Sequence, residues 1–327
     1  MSRRVAVLVN RQAQGVSDRH VDELRRLVGD RLYVTASIDA GAQALRAIVE
    51  RGDEALAIGG GDGTFTQVVA DLLTIAPDRV PVLMPLRLGT GNAIADVSGS
   101  SRSIAGLASD LARAASDEPP RALSLLEVDG RPTHFTGVGL DADYATDFRW
   151  MVKDRKLGGI VGRMARGAPG LVVTAMTMTV PKLLVRPLRR IRISSLDEPA
   201  WRLSDRGERT TELAPGATLY EGPFSIAAAS TIHSYSNGMT FFPFAESLDG
   251  AFHVRVSALT GFETLRALPR SFDGTYRHPK VHDFAARAVA FELAEPAPFH
   301  VGGDLQAPAT RFSVRLAART VPLLFRS

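Results

Sequence analysis

The feature that most constrains this chain is a glycine-rich turn between an apolar strand and a helix. The turn is the segment Ile58–Thr64, with the sequence IGGGDGT, and it precedes a helix predicted over residues 65–73. Glycines let the backbone adopt positive φ and approach a ligand closely. The N–H groups of such a turn, and those of the helix that follows it, then face an anion. The turn therefore predicts a phosphate site.

An aspartate inside this turn adds a second constraint. A carboxylate repels a neighbouring phosphate group, so the presence of Asp62 calls for a reason. Two reasons are open. Asp62 binds a Mg²⁺ ion that lies between the carboxylate and the phosphates, or it accepts a proton from an attacking hydroxyl group.

The order of strand and helix signals divides the chain into two parts. The first 125 residues alternate strands and helices, which predicts a parallel sheet covered on both faces, with ligands at the carboxyl ends of the strands. After the Glu-Pro-Pro break at 118–120, strand signals dominate, and turns such as Asp129-Gly130 and Asp249-Gly250 separate them. This pattern is typical of an antiparallel sandwich or barrel.

Composition excludes several kinds of protein. The 327 residues are enough for two domains, and they include no cysteine. Disulfides, thiolate zinc sites and cysteine nucleophiles are therefore excluded, and a reducing compartment is expected. No serine lies in a Gly-x-Ser-x-Gly elbow, so a hydrolase triad has no support. The apolar run Val5–Val9 is too short for a signal peptide and predicts the first strand.

Positive charge is concentrated in residues 149–192, which contain eleven basic residues and one acidic residue. The basic residues flank the uncharged segment Gly167–Pro181, which is too short to span a bilayer. Basic flanks around an apolar stretch suit contact with an anionic membrane surface. A buried core element with solvated flanks is the alternative. Trp150 is the only aromatic residue of this region, so nucleic acid is not expected as a partner.

A second glycine-rich loop follows the strand predicted to end at Met84. This loop, residues 85–95 with the sequence PLRLGTGNAIA, comes one strand–helix unit after the first. Two such loops on adjacent strands would hold one nucleotide between them. Each loop alone is weak evidence, but the two in this order are strong evidence.

The two loops resemble the diacylglycerol kinase catalytic family, which includes bacterial lipid kinases and sphingosine kinases. Three further segments match that family in its order. Asn10–Gly15 is similar to its Asn-Pro-x-Ser-Gly turn but lacks the proline, Gly137–Ala142 is similar to its Gly-Phe-Asp-Ala segment, and Pro243–Gly250 is similar to its Pro-x-Ala-x-x-x-Asp-Gly turn. The resemblance covers most of the chain.

The resemblance implies a fold and a division into domains. It implies an α/β nucleotide-binding domain with a three-layer parallel sheet over residues 1–122. An antiparallel β-sandwich domain that receives the lipid would follow over residues 123–319. The tail, residues 320–327, would pack back on the first domain.

The resemblance also implies ATP and Mg²⁺ as cofactors and assigns residues to them. The nucleotide would contact Asn10, Gly60, Gly61, Asp62, Gly63, Thr64, Gly89, Thr90, Gly91 and Asn92. Thr64 and Asn92 have helix capping as an alternative role. Mg²⁺ would bind Asp62, and a structural magnesium would lie near Asp249, as it does at this turn in bacterial members.

One departure from the family concerns the catalytic base. The family carries Asp-Gly-Glu near its C-terminus, and this chain has Gly302-Gly303-Asp304 there. The aspartate position is a glycine, and the glutamate position carries a side chain shorter by one methylene. Either Asp304 is the base that takes the acceptor proton, or Asp62 takes that role, or activity is lost.

The function implied is an ATP-dependent lipid kinase that phosphorylates a lipid hydroxyl of the diacylglycerol, sphingoid base or ceramide type. The rings of Phe241, Phe242 and Phe244 would line part of a lipid groove or, as aromatic rings more often do, pack in a core. One alternative is a regulatory pseudokinase that binds lipid and nucleotide. Another is an NAD kinase, which shares the Gly-Gly-Asp-Gly-Thr loop. A lipid kinase would act in the cytoplasm, peripherally at the inner membrane surface, and homodimerisation stays open.

Overall fold

A computed structural model describes residues 2–150, 180–185, 187–236 and 238–326, and every structural statement below concerns these residues. The basic segment predicted to contact a membrane lies mostly outside them, at residues 151–179 and 186. The chain folds into two compact units, one made of Met1–Leu125 and Ala318–Ser327, the other of Leu126–Ala317. The sequence had placed the divisions at 122/123 and 319/320.

The first unit is an α/β domain. Its elements are β1 (Val5–Asn10), α1 (Asp18–Val28), β2 (Leu32–Thr35), α2 (Ile38–Arg51), β3 (Ala55–Gly60), α3 (Asp62–Ile75), β4 (Val82–Arg87), α4 (Ala93–Val97) and α5 (Leu107–Ala115). The strands pair in the order β2-β1-β3-β4, and all three pairings are parallel. Within this unit, Leu323 near the C-terminus pairs in parallel with Leu83 of β4.

The sequence of each element explains why it forms. All six residues of β3 are buried, as expected for a strand covered on both faces of a parallel sheet. Helix α2 begins where the Ser37 side chain accepts a hydrogen bond from the N–H of Ala40, and it ends at Gly52, whose φ is 72°. One face of α2 buries Ala44 and Leu45.

The second unit consists mainly of antiparallel strands. Its strands are β5 (Arg121–Val128), which begins in the first unit, β6 (Arg131–Thr133), β7 (Phe135–Gly139), β8 (Arg189–Ser195), β9 (Ala200–Leu203), β10 (Arg209–Leu213), β11 (Thr218–Phe224), β12 (Ile226–Ser230), β13 (Ser234–Ser236), β14 (Met239–Thr240), β15 (Phe252–Ser257), β16 (Val281–Ala286), β17 (Ala288–Ala297), β18 (Phe299–Val301), β19 (Asp304–Leu305) and β20 (Ala309–Leu323), which ends in the first unit. Its helices are α6 (Leu140–Arg149), α7 (Val180–Val185) and α8 (Gly261–Ser271).

Two sheets enclose the core of the second unit. One has the order β11-β8-β17-β20, and the other has the order β10-β9-β16-β15-β12-β7-β18-β19. A single hydrophobic cluster contains Ile193 and Phe291 from the first sheet and Val254 and Phe284 from the second. Side chains from two facing sheets that share one core define a sandwich. The predicted fold class is thus confirmed, with an N-terminal α/β domain and a C-terminal domain of antiparallel sheets.

The phenylalanines proposed for a lipid groove are largely interior. Phe242 and Phe244 are buried in two small clusters of the second unit, and Phe241 is partly buried beside Phe242. The core alternative therefore describes Phe242 and Phe244. None of the described helices is both long enough and apolar enough to cross a membrane.

Candidate functional site: three loops at one edge of the parallel sheet

Three loops of the first unit leave the carboxyl ends of adjacent strands. They are Asn10–Gly15 after β1, Gly60–Thr64 after β3 and Leu88–Asn92 after β4. Since β1 pairs with β2 on one side and with β3 on the other, the chain reverses its direction of travel across the sheet between β1 and β3. In open α/β sheets, ligands bind outside the carboxyl ends of the strands at such a point. The sheet order therefore places the three loops where a ligand is expected.

The second and third loops pack backbone against backbone. A Cβ atom added to Gly89 would lie 2.2 Å from the Cα of Gly61 and 2.6 Å from its nitrogen. A Cβ atom on Gly15 would lie 2.5 Å from the carbonyl oxygen of Leu88, so the first loop approaches the third just as closely. No side chain fits at these positions. Glycine is thus required for contact between the loops.

The expectation of positive φ in these loops is wrong. None of the glycines at positions 59–61, 63, 89 and 91 has positive φ, and Gly61 has φ −99° and ψ −172°, which any residue adopts. A Cβ atom on Gly60 would collide at 2.5 Å with the side chain of Thr64. Close approach, and not backbone conformation, is the reason for glycine at Gly60 and Gly89, while a Cβ atom on Gly61 would lie 3.2 Å from the carbonyl oxygen of Gly91.

The loop after β3 leads directly into the N-terminus of α3. Gly61 is the N-cap residue, and it has no side chain with which to cap the helix. The regular hydrogen-bond ladder of an α-helix does not use the N–H groups of its first residues, which in α3 are Asp62, Gly63 and Thr64. Such N–H groups, with the positive end of the helix dipole, favour an anion. The residues present fit a phosphate group.

Asp62 is buried and links two loops. Its two carboxylate oxygens accept hydrogen bonds from the backbone N–H groups of Ala93 at 3.1 Å and Ile94 at 3.0 Å, which are the first two residues of α4. The carboxylate therefore fixes the start of α4 relative to α3. The roles of Asp62 as magnesium ligand or base stay predictions, and this anchoring role was missed.

Asn92 closes the third loop on itself. Its side-chain oxygen accepts from the N–H of Gly89 at 3.0 Å, and its side-chain nitrogen donates to the carbonyl of Gly89 at 2.8 Å. Asn92 occupies the N-cap position of α4 but makes no capping bond. The side-chain amide of Asn92 therefore fixes the backbone of Gly89, which packs against Gly61.

Two side-chain pairs connect the first loop to the others. The Asn10 amide donates to the hydroxyl of Thr64 at 3.0 Å, and the Thr90 hydroxyl donates to Gln14 at 3.2 Å. Thr64 lies in the first turn of α3 and does not cap that helix. The predicted nucleotide residues of all three loops are therefore brought together in one unit, although their contacts with ATP stay predictions.

The second unit contains a buried polar cluster that the sequence did not reveal. Nε2 of His300 on β18 lies 2.7 Å from the carboxylate of Asp141 on α6 and 3.2 Å from the hydroxyl of Tyr235 on β13. The Tyr235 hydroxyl also donates to Asp141. A Cβ atom on Gly137 would lie 2.4 Å from the same carboxylate, so this glycine makes room for it.

The cluster shifts the ionisation of its members. Burial alone would raise the pKa of Asp141, but the electrostatic attraction and hydrogen bonds of His300, and the hydrogen bond of Tyr235, outweigh it and hold that pKa below its ordinary value. Burial, and then the neighbouring Asp141 carboxylate, raise the pKa of Tyr235 well above its ordinary value. At neutral pH, Asp141 is charged and Tyr235 is a hydrogen-bond donor.

The segment that departs from the family is a tight hairpin. Val301 pairs with Asp304 across Gly302 and Gly303, whose φ values are 57° and 85°. Positive φ at both central residues defines a type I′ turn, which takes Gly, Asn or Asp. Gly302 therefore preserves the turn that Asp-Gly would form but supplies no carboxylate. Asp304 is exposed at the start of β19, and His300 of the buried cluster lies on the preceding strand.

Asp249 is exposed in the turn before β15, and its backbone carbonyl accepts a hydrogen bond from Arg209 at 2.8 Å. Among residues 2–150, 180–185, 187–236 and 238–326, no group of three or more His, Cys, Asp or Glu side chains is arranged to hold a metal ion. The metal role of Asp249 stays a prediction.

Comparison with known proteins agrees with the fold. Residues 4–119 match the family model of the diacylglycerol kinase catalytic domain. The resemblance seen in the sequence is confirmed. This match contains all three loops of the candidate site. Among curated proteins, a sequence search finds no match.

Solved structures share the fold over almost the whole chain. A crystal structure of a diacylglycerol kinase from Bacillus anthracis str. Sterne aligns with a TM-score of 0.61 at 14% identity, covering 99% of this chain and 97% of that one. Another structure from the same organism, provisionally described as a diacylglycerol kinase, aligns with a TM-score of 0.66 at 16% identity, covering 99% and 97%. At these identities the likeness establishes the fold.

Proposed function

We propose that this protein is an ATP-dependent lipid kinase. The observation that supports this most is the meeting of three loops at the sheet edge, beside the uncapped N-terminus of α3, within the segment that matches the diacylglycerol kinase catalytic domain. Phosphoryl transfer depends on positioning and on neutralising charge more than on covalent chemistry. Rigid glycine loops and oriented N–H groups supply the positioning.

Each loop has a distinct part in this proposal. The N–H groups of Asp62, Gly63 and Thr64 bind the terminal phosphates of ATP. Asn10 orients the Thr64 hydroxyl, and the third loop, held by Asn92 and Asp62, contacts the nucleotide from the opposite side through Gly89, Thr90 and Gly91. Mg²⁺ would supply charge neutralisation when bound, and it needs only one or two carboxylates beside the substrate phosphates. In this proposal Asp62 is that carboxylate.

The acceptor in this proposal is a lipid hydroxyl of the diacylglycerol, sphingoid base or ceramide type. Asp304 is exposed and takes the proton of that hydroxyl as the phosphate is transferred. The basic segment 149–192 contacts the anionic membrane that holds the lipid, and Asp249 contributes to a structural magnesium site. The kinase works in the cytoplasm at the inner membrane surface, where ATP is present.

The proposal is tested with purified protein, labelled ATP and separate acceptors: diacylglycerol, sphingosine, ceramide and NAD. We expect phosphate to appear on one of the three lipids and not on NAD. Labelling of NAD alone would overturn the proposal in favour of an NAD kinase.

A catalytically weak binding protein is the second candidate, and Gly302 favours it because the hairpin lacks the family's aspartate. Binding of ATP and lipid with no phosphate transfer to any acceptor would support this candidate. The Asp304→Asn variant separates the two: loss of lipid phosphorylation with unchanged ATP binding supports the kinase and the base role together.

A further inference from the structure

Helix α8 presents two large apolar side chains to solvent. Phe262 is 63% exposed and Leu265 is 36% exposed, and Phe272, directly after the helix, is 47% exposed, whereas Ala267 is buried. Residues 262, 265 and 272 follow the spacing of one helical face. A surface helix ordinarily buries its apolar face and exposes its polar one. Among the described side chains of α8, Ala267 is buried, whereas Phe262 and Leu265 are exposed.

The exposed face also carries positive charge. Arg266 and Arg270 are exposed, and in the described part of the chain no carboxylate lies within 4.0 Å of either guanidinium. Asp273 is the nearby acid: its hydrogen bonds with Thr275 and, more weakly, the charge of Arg270 lower the pKa of its carboxyl group. The Arg266 guanidinium lies 5.8 Å from the centre of the Phe262 ring, so the cation and the ring share one face. Glu263, the acid of this helix, is paired with Lys280 at 2.7 Å.

A capping box and contact with a neighbouring helix hold α8 in place. Thr260 and Glu263 form a capping box at its N-terminus, and the pKa of Glu263 is lowered to about 2 by its hydrogen bonds with Lys280 and Thr260. Helix α7 packs against α8 and exposes Leu184 and Val185, which are 51% and 81% exposed. We call the exposed set the α8 surface; its members are Leu184, Val185, Phe262, Leu265, Arg266, Arg270 and Phe272.

We propose that the α8 surface docks the protein on an anionic lipid bilayer. Phe262, Leu265 and Phe272 enter the interfacial region, and Arg266 and Arg270 bind lipid phosphates, an arrangement typical of interfacial helices. Charge decides between a bilayer and a second copy of this chain. In a twofold dimer the same surface meets itself, so the exposed arginines of both copies would face one another. Anionic headgroups neutralise them instead.

This docking explains how a kinase would reach a lipid acceptor, and to that extent it rests on the proposed function. It adds the residues of α8 and Phe272, which lie outside the segment 149–192, to the membrane contact proposed for that segment. The docking itself needs neither nucleotide nor catalysis, so it is measured independently.

The test is sedimentation of the full-length protein with vesicles, without nucleotide. Vesicles of phosphatidylcholine containing phosphatidylglycerol are compared with vesicles of phosphatidylcholine alone. We expect binding to the anionic vesicles that weakens as salt is added. The double variant Phe262→Ser/Leu265→Ser is expected to bind at least about tenfold more weakly, because two inserted apolar side chains are lost.

Each variant has a control that makes the same type of substitution at exposed residues outside the α8 surface. Val34→Ser/Ile38→Ser removes two exposed apolar side chains of the first unit and should bind as the parent does. Arg266→Glu/Arg270→Glu should weaken binding by about fivefold or more for each arginine lost. Arg19→Glu/Arg46→Glu produces the same net charge by altering exposed residues of α1 and α2, and should have a much smaller effect.

Three results would overturn the inference. One is absence of binding to anionic vesicles, and another is equal loss in the α8 variants and their controls. The third is conversion of a dimer to a monomer by Phe262→Ser/Leu265→Ser with vesicle binding unchanged, which would make the α8 surface a contact between copies. If vesicle binding depends on α8 but no lipid is phosphorylated, the docking stands and the proposed kinase fails.

Discussion

At the scale of single residues, the candidate site depends on glycines that allow contact between loops. Gly89 lies so close to Gly61 that a Cβ atom on Gly89 would collide with the backbone of Gly61, which cannot move aside as a flexible side chain can. Position 41 differs: Gly41 lies within α2, and a Cβ atom there meets nothing within 4 Å. Comparing position 89 with position 41 therefore separates the steric requirement for glycine from the effect of glycine on chain flexibility.

We expect Gly89→Ala to lower the free energy of unfolding by about 1–3 kcal/mol, because the loops must separate. ATP affinity should fall at least as sharply, since the third loop moves away from the first helical N–H groups. Gly41→Ala is the control and should stabilise the protein by about 0.5–1 kcal/mol. Urea unfolding and ATP titration measure both variants, and equal behaviour of the two would remove the steric argument.

Asp62→Asn tests the anchoring of α4. The amide has one oxygen to accept the two N–H groups of Ala93 and Ile94, so its NH₂ group must face one donor. Loss of about 1–3 kcal/mol of stability is expected, with near-complete loss of phosphate transfer. Asp71→Asn is the control on the same helix, because the described hydrogen bonds join Asp71 to Gln67 alone. It should change stability and phosphate transfer little. An active, equally stable Asp62→Asn protein would contradict the role.

The buried cluster of the second unit gives a further residue-scale prediction. Asp141→Asn should destabilise the protein by about 1–3 kcal/mol, because His300 and Tyr235 lose a buried charged acceptor. Asp197→Asn, at an exposed pair with Arg315, should cost under about 1 kcal/mol. Thermal unfolding of both variants at neutral pH makes the comparison, and similar losses would show that burial does not matter here.

At the scale of elements, strands β15 and β16 are joined by a buried charged network. Nε2 of His253 lies 2.8 Å from Asp283, and Arg255 donates to both oxygens of the same carboxylate, at 2.7 and 3.0 Å. Burial lowers the pKa of His253 more than Asp283 raises it, so at neutral pH the ring is uncharged in the folded protein. The network is therefore sensitive to acid.

The sign of that sensitivity follows from proton linkage. Unfolded His253 binds a proton as pH falls through about 6.5, whereas the folded ring does so only at lower pH. Stability should therefore fall as pH drops below about 6.5, by up to about 1.4 kcal/mol per pH unit for this one proton. Urea midpoints at pH 8 and pH 5.5 measure it. His253→Gln should reduce the slope, and an unchanged slope would exclude this residue.

Elements also show what the sequence can and cannot reveal. The strand–helix alternation and the two glycine loops could be predicted from the sequence because periodicity and turn chemistry are local properties. The hydrogen bonds of Asp62 with Ala93 and Ile94 could not be predicted, since they depend on how α3 and α4 pack. The cluster of Asp141, Tyr235 and His300 joins residues up to 159 positions apart, and no local sequence pattern predicts such a contact.

At the scale of the whole molecule, the order of motifs carried more information than any one of them. Loops after β1, β3 and β4 converge because parallel strands place their carboxyl ends at one edge, and this much followed from the sequence. The exposed apolar face of α8 did not follow, because periodicity shows which residues share a face but not which face is buried. Tertiary packing makes that choice.

The most direct test of the central claim is a crystal structure of the protein with Mg²⁺ and a non-hydrolysable ATP analogue. We predict that the terminal phosphates accept hydrogen bonds from the N–H groups of Asp62, Gly63 and Thr64, with the third loop in contact with the nucleotide. A nucleotide bound elsewhere, or phosphates out of reach of those N–H groups, would contradict the account.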